Sequence, residues 1–417
     1  MEGIALLDKY SRRMLWWNAW MNCQPILKGL LDMPEVQKAE LVGGFRRKAE
    51  TVGKLTFIAS TTSPRKVLHW FATVPGIEQL ICEEREVAVV RLRKGIQATL
   101  TIIPEAHFAR ELLVQTGSEA HLEQLQKLGP IVDLNSEALI YESLGLEYVP
   151  PELREGMAEV EAAKEKRLPK LVEEADLRGA FHCHTIESDG TNTIEELAEA
   201  AHKKGWQYIG IADHSKESAL VNGLDEERVL KQIEHIRKIN QSQEYNAHVF
   251  AGIECDILED GRMDLADEVL AQLDYVIASV HRRYKLDRYA MTKRIIRAVE
   301  NSYTTILGHV TGRILLRREP YEIDIEKIID ACIANGVIME LNAAPSRLDM
   351  DWRYWHKASE KGLKCSINPD AHSLGELHYV TAGINMARKG WLQKGDVINT
   401  MSYSDIQKQF NAKAQRR

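Results

Sequence analysis

From Gly179 onward, short apolar runs alternate with amphipathic stretches, and this alternation leaves few possible folds for the chain. The apolar runs have the length and composition of strands and span 180–184, 208–213, 247–255, 274–280, 304–308, 337–342 and 363–368. Stretches between them, such as 193–204, 225–240 and 324–334, have helical periodicity. Repeated strand–helix units predict a parallel sheet, and seven units in about 220 residues favour a distorted closed (β/α)7 barrel. An open, doubly wound sheet is the alternative.

The chain before this repeat shows a different pattern. We expect a helix over 1–33, strands over 39–42 and 54–60, a helix from Pro64 to Ala72, strands over 86–92 and 96–103 joined by a hairpin at Arg93-Lys94-Gly95, and a helix over 105–115. This order predicts a small α+β domain. The proposed division is therefore an α+β domain over 1–150, a charged connector over 151–175 and an α/β barrel domain over 176–417.

Composition and charge limit the class of protein. No apolar run approaches the roughly 20 residues of a membrane span, and the six cysteines include no CxxC pair. A net charge of −7 gives no overall attraction to nucleic acid, so any such contact would need local basic clusters. An amphipathic face near the N-terminus, formed by Leu6, Tyr10, Met14, Trp17 and Met21, predicts a packed helix. We expect a cytoplasmic protein.

Metal-type ligands follow most of the predicted barrel strands. They are His182, His184, Asp189, His214, Glu254, His281, His309, Asp370 and His372. In a barrel of this kind, the carboxyl ends of the strands meet on one face, where active sites form. Any one histidine would more commonly be a packed or surface residue, as we expect for His69, His107, His121, His202, His235, His248, His356 and His378. The shared position at strand ends distinguishes the other six.

Imidazole and carboxylate ligands without thiolate suit Zn²⁺, Mn²⁺ or Fe²⁺, and a bridging Glu254 would permit two to three ions. Such ions provide hydroxide at neutral pH and neutralise phosphoryl oxygens, which indicates hydrolysis of phosphate esters. We expect Asp213 to support the site from the opposite strand face, with direct ligation as the alternative. Arg313 and Arg347 are candidates for contact with substrate phosphate, as are Arg282 and Arg283, unless these arginines are solvated surface charges.

Taken together, the His-x-His, Asp-His, Gly-Ile-Glu, Ser-Val-His, Gly-His and Asp-Ala-His motifs resemble the polymerase and histidinol phosphatase (PHP) domain over roughly 176–400. The resemblance implies a seven-stranded βα barrel with a trinuclear centre. By the same resemblance, His182, His184, Glu254 and Asp370 would hold one ion, and Glu254, His281 and His309 the second. Asp189, His214 and His372 would hold the third.

The first domain resembles the nucleotidyltransferase palm of family X DNA polymerases. The similar segments are Gly43–Arg47, Glu50–Gly53, Gly95–Pro104, Thr116–Ser118 and the Pro-Pro-Glu-Leu-Arg connector that bacterial members place before a PHP domain. The family's three catalytic carboxylates would fall at Lys54, Thr56 and Thr99, and its triphosphate-binding Gly-Ser at Gly43-Gly44. We also expect the DNA-gripping regions that precede the palm in the family to be missing. Because nucleotidyl transfer needs carboxylates to hold Mg²⁺, we expect polymerase activity to be lost.

The resemblance therefore predicts a metal-dependent hydrolase acting on phosphate esters, with DNA 3′ ends as substrate for 3′–5′ exonuclease or 3′-phosphatase activity. A small-molecule phosphatase of the histidinol phosphatase type is one alternative. A non-catalytic DNA-repair scaffold is the other. For Arg46, Arg47 and Lys48 we expect a solvated turn, with contact to a DNA backbone as the alternative.

Overall fold

A computed structural model describes residues 13–414, so Leu6 and Tyr10 of the predicted N-terminal helix lie outside the described range. The chain forms two compact units. One comprises the residues up to Pro169 together with Leu315–Arg317, and the other comprises Lys170–Ile314 and the residues from Arg318 onward. Within the proposed connector, 151–175, residues 159–164 are helical and the unit boundary falls after Pro169.

A mixed five-stranded sheet forms the centre of the first unit. In spatial order its strands are β2 (Val36–Leu41), β4 (Lys54–Thr61), β7 (Gln97–Ile102), β6 (Val87–Leu92) and β5 (Ile77–Glu83). Strands β4 and β7 are parallel, and the other neighbouring pairs are antiparallel. A separate pair is formed by β1 (Met14–Leu15) and β3 (Thr51–Val52). The described helices are α1 (Trp16–Leu31), α2 (Gly43–Arg46), α3 (Pro64–Thr73), α4 (Phe108–Thr116), α5 (Glu119–Leu128), α6 (Glu137–Ser143) and α7 (Glu159–Lys164).

Alternation along the central strands decides which face of this sheet is buried. Leu55, Phe57, Leu100 and their neighbours pack with α1 and α3 in one apolar core. On the opposite face, Thr56 and Thr99 are partly exposed, whereas Ile58 packs with Phe108 of α4 in a smaller apolar cluster. The second face is therefore covered only in part.

The predicted elements of the first unit are largely present, with two corrections. The described part of the predicted helix 1–33 begins only at Trp16, because Met14 and Leu15 pair as a strand with Thr51 and Val52. The edge strand β5 was not predicted, since its residues are mostly exposed and its apolar and polar residues do not alternate regularly. The predicted hairpin between β6 and β7 is confirmed.

A buried ionic network stabilises the first unit. Both carboxylate oxygens of Glu137 accept from Arg46, at 2.9 and 2.7 Å, and Arg154 donates to the same carboxylate. Arg154 is fully buried between the rings of Tyr141 and Tyr148. The expectation that Arg46 and Arg47 form a solvated turn is therefore wrong: Arg46 pairs with Glu137, and Arg47 donates to Glu155 and to a backbone carbonyl.

Seven parallel strands form the barrel of the second unit, in sequential order. They are β8 (Gly179–Cys183), β9 (Tyr208–Ile211), β10 (His248–Asp256), β11 (Tyr275–Ser279), β12 (Ile306–Leu307), β13 (Ile338–Asn342) and β14 (Cys365–Asn368). The barrel nearly closes, because the amide of His184 donates to Ala371 O at 2.8 Å and the amide of Ala371 donates to His182 O at 3.2 Å. The alternative of an open, doubly wound sheet is wrong, since its strand order would reverse partway across the sheet.

Helices separate these strands, and several of them begin at a capping side chain. They are α8 (Ile194–Lys203), α9 (Glu226–Ser242), α10 (Asp267–Leu270), α11 (Arg288–Val299), α12 (Ile325–Asn335), α13 (Trp352–Glu360), α14 (Val380–Lys389) and α15 (Tyr403–Ala414). Thr193 and Glu196 form a reciprocal cap on α8, while Asp225, Asp287 and Asp324 cap α9, α11 and α12. Such caps satisfy the amide groups that a first helical turn leaves free, and they define where each strand-to-helix loop ends.

The barrel interior is aromatic toward its amino end. Phe181, Tyr208, Phe250 and Tyr275 pack together, and Phe410 of α15 contacts three of these rings at centroid distances of 5.4 to 5.7 Å. The carboxyl ends of the strands carry the polar residues described below. Among the described residues, no helix is long and apolar enough to cross a membrane.

Replacing Glu137 with alanine will destabilise the first unit by about 3–5 kcal/mol, because two largely buried arginines would lose their partner. The free energy of unfolding, measured by chemical denaturation, tests this. Glu142→Ala, on the exposed side of the same helix, is the matched control and should change stability by less than about 0.5 kcal/mol. Equal effects of the two substitutions would contradict a stabilising role for the network.

Candidate metal centre

The structure brings all nine predicted ligand residues together at the carboxyl ends of the barrel strands. Their ring nitrogens and carboxylate oxygens form three overlapping groups, in each of which the ligand atoms lie within 4.8 Å of one another. The groups are His182, His184 and Asp370; His214, Glu254 and His281; and His184, Asp189, His214 and His372. His309 joins the second group through a 2.9 Å contact between its Nε2 and Oε1 of Glu254.

Two of these residues have left-handed backbone conformations at the seam of the barrel. The φ angle is 59° at His182 and 51° at Asp370, and the pairing of β8 with β9 shifts register between Ala180 and Cys183. The two-residue alternation of a regular strand is therefore interrupted at His182. Non-glycine residues in this conformation are uncommon and cost of the order of 1–3 kcal/mol each, so the surrounding structure must hold both backbones in place.

Glu254 is the carboxylate with the most histidine neighbours in this cluster. Its Oε1 lies 3.3 Å from His182 Nε2 and 3.2 Å from His281 Nε2, and its Oε2 lies 3.0 Å from His214 Nδ1. The side chain is 1% exposed. This position between groups is the one that a bridging carboxylate would occupy.

The first group is fully buried, and the third reaches toward solvent. Oδ1 of Asp370 lies 3.2 Å from His184 Nε2 and 3.5 Å from His182 Nε2. Asp189 lies 3.7 Å from both His184 and His214 and 3.4 Å from His372 Nε2. The grouping by distance differs in part from the predicted assignment to three ions, because His184 and His214 each belong to two groups. The assignment of ligands to individual ions stays a prediction.

Several observations fit a bound cation. Five buried ligand atoms in the cluster make no hydrogen bond in the described chain: Nε2 of His182, Nδ1 of His184, His214 and His309, and Oε2 of Glu254. Buried polar atoms are normally satisfied, so these atoms are suited to metal coordination. The contacts of 2.9–3.5 Å between ligand atoms also fit, since two ligands each about 2.1 Å from one ion lie roughly 3.0–3.4 Å apart.

The electrostatics favour positive charge in the cluster. Burial would raise the pKa of Glu254, but His281, His182 and His214 outweigh it and hold the pKa well below its usual value. Asp370 behaves in the same way, since His182, His184 and Arg347 overcome the effect of burial on its pKa. Burial lowers the pKa of His184 and of His309, which favours the neutral imidazole that ligates metals.

Glu340, which our sequence analysis did not identify, orients two of the candidate ligands. It is fully buried on β13, the one barrel strand without a predicted ligand at its end. Its Oε1 lies 2.6 Å from His182 Nδ1, and its Oε2 accepts from the amide of His309 at 2.8 Å. Asn342 and Asn368 donate to the same carboxylate. A glutamate within an otherwise apolar parallel strand was the available sequence signal.

Asp256 has the corresponding role on the other side of the cluster and was also not predicted. It is 2% exposed, lies 3.0 Å from His281 Nδ1 and accepts from Ser218 at 2.6 Å. A carboxylate that accepts a hydrogen bond from the second ring nitrogen of a ligating histidine fixes the tautomer and orientation of that ring. Glu340 and Asp256 therefore position His182 and His281.

Asp213 accepts four hydrogen bonds, three from the loop after β8 and one from α9. The donors are the amide and hydroxyl of Thr185, the hydroxyl of Ser188 and the side-chain amide of Gln232. These bonds shape the loop that carries Asp189. Gly190 completes this tight turn, because a Cβ there would lie 2.4 Å from the carbonyl oxygen of His184. This geometry favours the supporting role of Asp213 over direct ligation.

The candidate arginines differ in their contacts and in their exposure to solvent. Arg347 Nε lies 3.4 Å from Asp370 Oδ2, and its side chain is 21% exposed. Arg313 is 7% exposed, and it donates to the backbone carbonyls of Arg347 and Leu348 and to Asp351. Arg313 therefore holds the loop that presents Arg347. Arg282 and Arg283 are largely exposed and pair with Glu217 and Glu259.

In the first unit, the positions expected to match polymerase carboxylates are adjacent in space. Thr56 of β4 and Thr99 of β7 are direct partners across the parallel pair, and Lys54 is opposite Gln97. None of these four side chains is a carboxylate.

Comparison with known proteins supports the resemblance of the chain to the PHP domain and to family X DNA polymerases. A family model described as PHP domain matches residues 180–344. The chain is 34% identical to the DNA polymerase/3'-5' exonuclease PolX of Bacillus subtilis (strain 168) over 427 aligned positions, covering 98% of this chain and 74% of that protein.

Proteins named probable phosphatase are similar to part of the chain. One from Thermoanaerobacter sp. (strain X514) is 30% identical over 230 positions, covering 52% of this chain and 89% of that protein. One from Caldanaerobacter subterraneus subsp. tengcongensis is 33% identical over 202 positions, covering 46% of this chain and 74% of that protein. The chain is a phosphoester hydrolase with a PHP domain. It belongs to the family X DNA polymerases that have a PHP domain at the carboxyl end.

Proposed function

We propose that the barrel unit processes DNA 3′ ends, as a 3′–5′ exonuclease or 3′-phosphatase, with two to three divalent ions at the nine-residue cluster. Mn²⁺ and Zn²⁺ are the favoured ions and Fe²⁺ is the alternative, because the ligand set combines imidazole and carboxylate without thiolate. The observation that supports this most directly is the group of five buried ligand atoms that lack hydrogen bonds. Similarity to the PolX exonuclease over nearly the whole chain supports DNA as substrate.

When bound, divalent ions at such a site lower the pKa of water and neutralise phosphoryl oxygens. The protein's own residues hold the reacting groups in place. Arg347 combines contact to Asp370 with partial exposure, so its guanidinium is suited to orienting a substrate phosphate. Glu340 and Asp256 hold the rings of His182 and His281, so that these ligands are already oriented before substrate binds.

We also propose that polymerase activity is lost. Lys54, Thr56 and Thr99 occupy the neighbouring positions where the family resemblance expects carboxylates. A hydroxyl group and an ammonium group do not replace the negative charge that holds Mg²⁺ on a nucleotide. A non-catalytic scaffold is disfavoured, since the barrel retains all nine candidate ligands in one cluster.

A small-molecule phosphatase is the second candidate, supported by the relatives named probable phosphatase that align with about half of this chain. A substrate panel distinguishes the two functions. Release of nucleotides or of 3′-phosphate from oligonucleotides, at a kcat/KM well above that for histidinol phosphate, supports DNA processing. The reverse order supports the small-molecule function.

Substitution His184→Ala will reduce Mn²⁺-dependent hydrolysis by more than about 100-fold, beyond the 10–100-fold loss typical for outer partners of a metal. His184 lies in two of the three ligand groups. Nucleotide release and metal content per chain are measured together. His235→Ala, a half-exposed histidine on α9, is the matched control and should keep both at wild-type levels. Undiminished activity of His184→Ala would refute the proposed site.

Substitution Glu340→Gln will weaken metal binding by about 10–100-fold, because Gln lacks the charge that holds the tautomer of His182. Titration calorimetry with Mn²⁺ measures this affinity without relying on activity. The control is Glu360→Gln, an exposed residue at the end of α13. Unchanged affinity with an unchanged melting temperature would show that Glu340 has no positioning role.

Primer extension with Mg²⁺ or Mn²⁺ will show no template-dependent nucleotide incorporation by the wild-type chain. The assay is run in the His184→Ala background as well, so that 3′ degradation does not mask extension. Incorporation in either protein would contradict the loss of polymerase activity.

A further inference from the structure

Two neighbouring hollows lie outside the nine-residue cluster in the second unit. The first, of about 450 Å³, lies between α11 and α12 and is lined by Arg288, Tyr289, Lys293, Asp324 and Lys327 among others. The second, of about 460 Å³, is lined by Thr311, Tyr354, Arg313, Glu322 and Asp351 among others, so its two arginines, Arg288 and Arg313, are matched by two carboxylates. Arg288 lines both hollows, so they are neighbours on either side of this residue.

Both hollows are on the same side of the barrel as the metal centre. In a βα barrel the helices begin at the face where the strands end, and Arg288 is the first residue of α11. Arg294 of α11 donates to the carbonyl oxygen of Arg282, the residue after His281, at 2.9 Å. Thr311 in the second hollow follows His309 by two residues. The hollows therefore extend from two of the strand ends that carry candidate ligands.

The first hollow has an excess of positive charge. Three cations, Arg288, Lys293 and Lys327, line it together with one carboxylate, Asp324. Arg288 and Lys327 share that carboxylate at 3.5 and 3.3 Å, and their side chains are 64% and 70% exposed. Exposed pairs of this kind are worth no more than about 1 kcal/mol, so these cations can exchange Asp324 for a phosphate at little cost.

Exposed aromatic rings accompany these charges. Tyr289 is 77% exposed at the first hollow, and Tyr354 is 41% exposed at the second. Cations that follow a phosphate backbone, combined with aromatic rings on which bases stack, are the features of surfaces that bind single-stranded nucleic acid. A small phosphomonoester bound at the metal centre would contact neither these cations nor these rings.

We propose that these two hollows form a track that binds single-stranded DNA, holding the nucleotides that precede the reacting 3′ end. Arg288, Lys293 and Lys327 contact the phosphates, and Tyr289 stacks on a base. This inference rests on the proposed DNA function and specifies how the strand reaches the metal centre. It also gives a reason for a protein with net negative charge to bind a polyanion, since the positive charge is local.

The test measures binding of a 5′-fluorescein-labelled dT12 with phosphorothioate linkages to the Mn²⁺-loaded full chain, by fluorescence anisotropy. The variant Arg288→Ser/Lys293→Ser/Lys327→Ser should bind more weakly, with a Kd about 10-fold higher or more. The slope of log Kd against log salt should fall by about two, because each lost single-strand phosphate contact contributes about 0.7. With cleavable dT12, the loss should appear in KM and not in kcat.

The matched control removes the same number of cations from another surface. Lys203→Ser/Lys231→Ser/Lys238→Ser acts on exposed lysines of α8 and α9 that pair with glutamates one turn away. It should leave Kd and the salt slope unchanged. Tyr289→Ala should weaken binding by about 5-fold or more, while Tyr289→Phe should retain it, because stacking needs the ring and not the hydroxyl.

The proposed track would be refuted if the track variant bound dT12 as tightly as the wild type. It would also be refuted if the control variant lost as much affinity as the track variant. Melting temperature and metal content confirm that each variant is folded. If dT12 binds through the track, but no nucleotide is released from it and no phosphate is released from 3′-phosphorylated dT12, the track stands and the 3′-end function fails. If dT12 is cleaved equally well by all variants, the 3′-end function stands and the track fails.

Discussion

The carboxylate of Glu254 contacts four histidines that come from four different strands of the barrel. His182, His214, His281 and His309 all place a ring nitrogen within 3.3 Å of it. A buried carboxylate is costly unless positive charge or hydrogen bonds compensate it. The histidines provide part of that compensation, and a bound cation would complete it. The carboxyl face of the barrel is therefore organised around this charge.

Two further buried carboxylates make this arrangement rigid. Glu340 and Asp256 hold the far ring nitrogens of His182 and His281, so these imidazoles have defined orientations. The left-handed backbone at His182 and Asp370 brings both side chains to the seam of the barrel. Backbone hydrogen bonds across the seam, between Ala371 and both His182 and His184, stabilise this local strain. The positions of these ligands therefore depend on the backbone hydrogen bonds that close the barrel.

The two units differ in how they use buried charge. In the first unit, Glu137, Arg46 and Arg154 neutralise one another, and the positions that the resemblance matches to the polymerase carboxylates are Lys54, Thr56 and Thr99. In the second unit, several buried ring nitrogens and a carboxylate oxygen have no hydrogen bond and are suited to binding a metal ion. This contrast supports the proposal that hydrolysis takes place in the barrel and that the first unit has lost polymerase activity.

The sequence by itself determined the barrel and the membership of the cluster. Seven apolar runs of strand length predicted the parallel strands, and the polar residues at their ends predicted the nine candidate ligands, because parallel strands converge at one face. The tertiary structure alone decided which ligand atoms are neighbours and what holds them. Glu340 and Asp256 contact histidines far along the chain, and Arg313 donates to the backbone of the loop that carries Arg347. Local periodicity does not encode such contacts, because they depend on how the barrel closes and on the backbone strain at its seam.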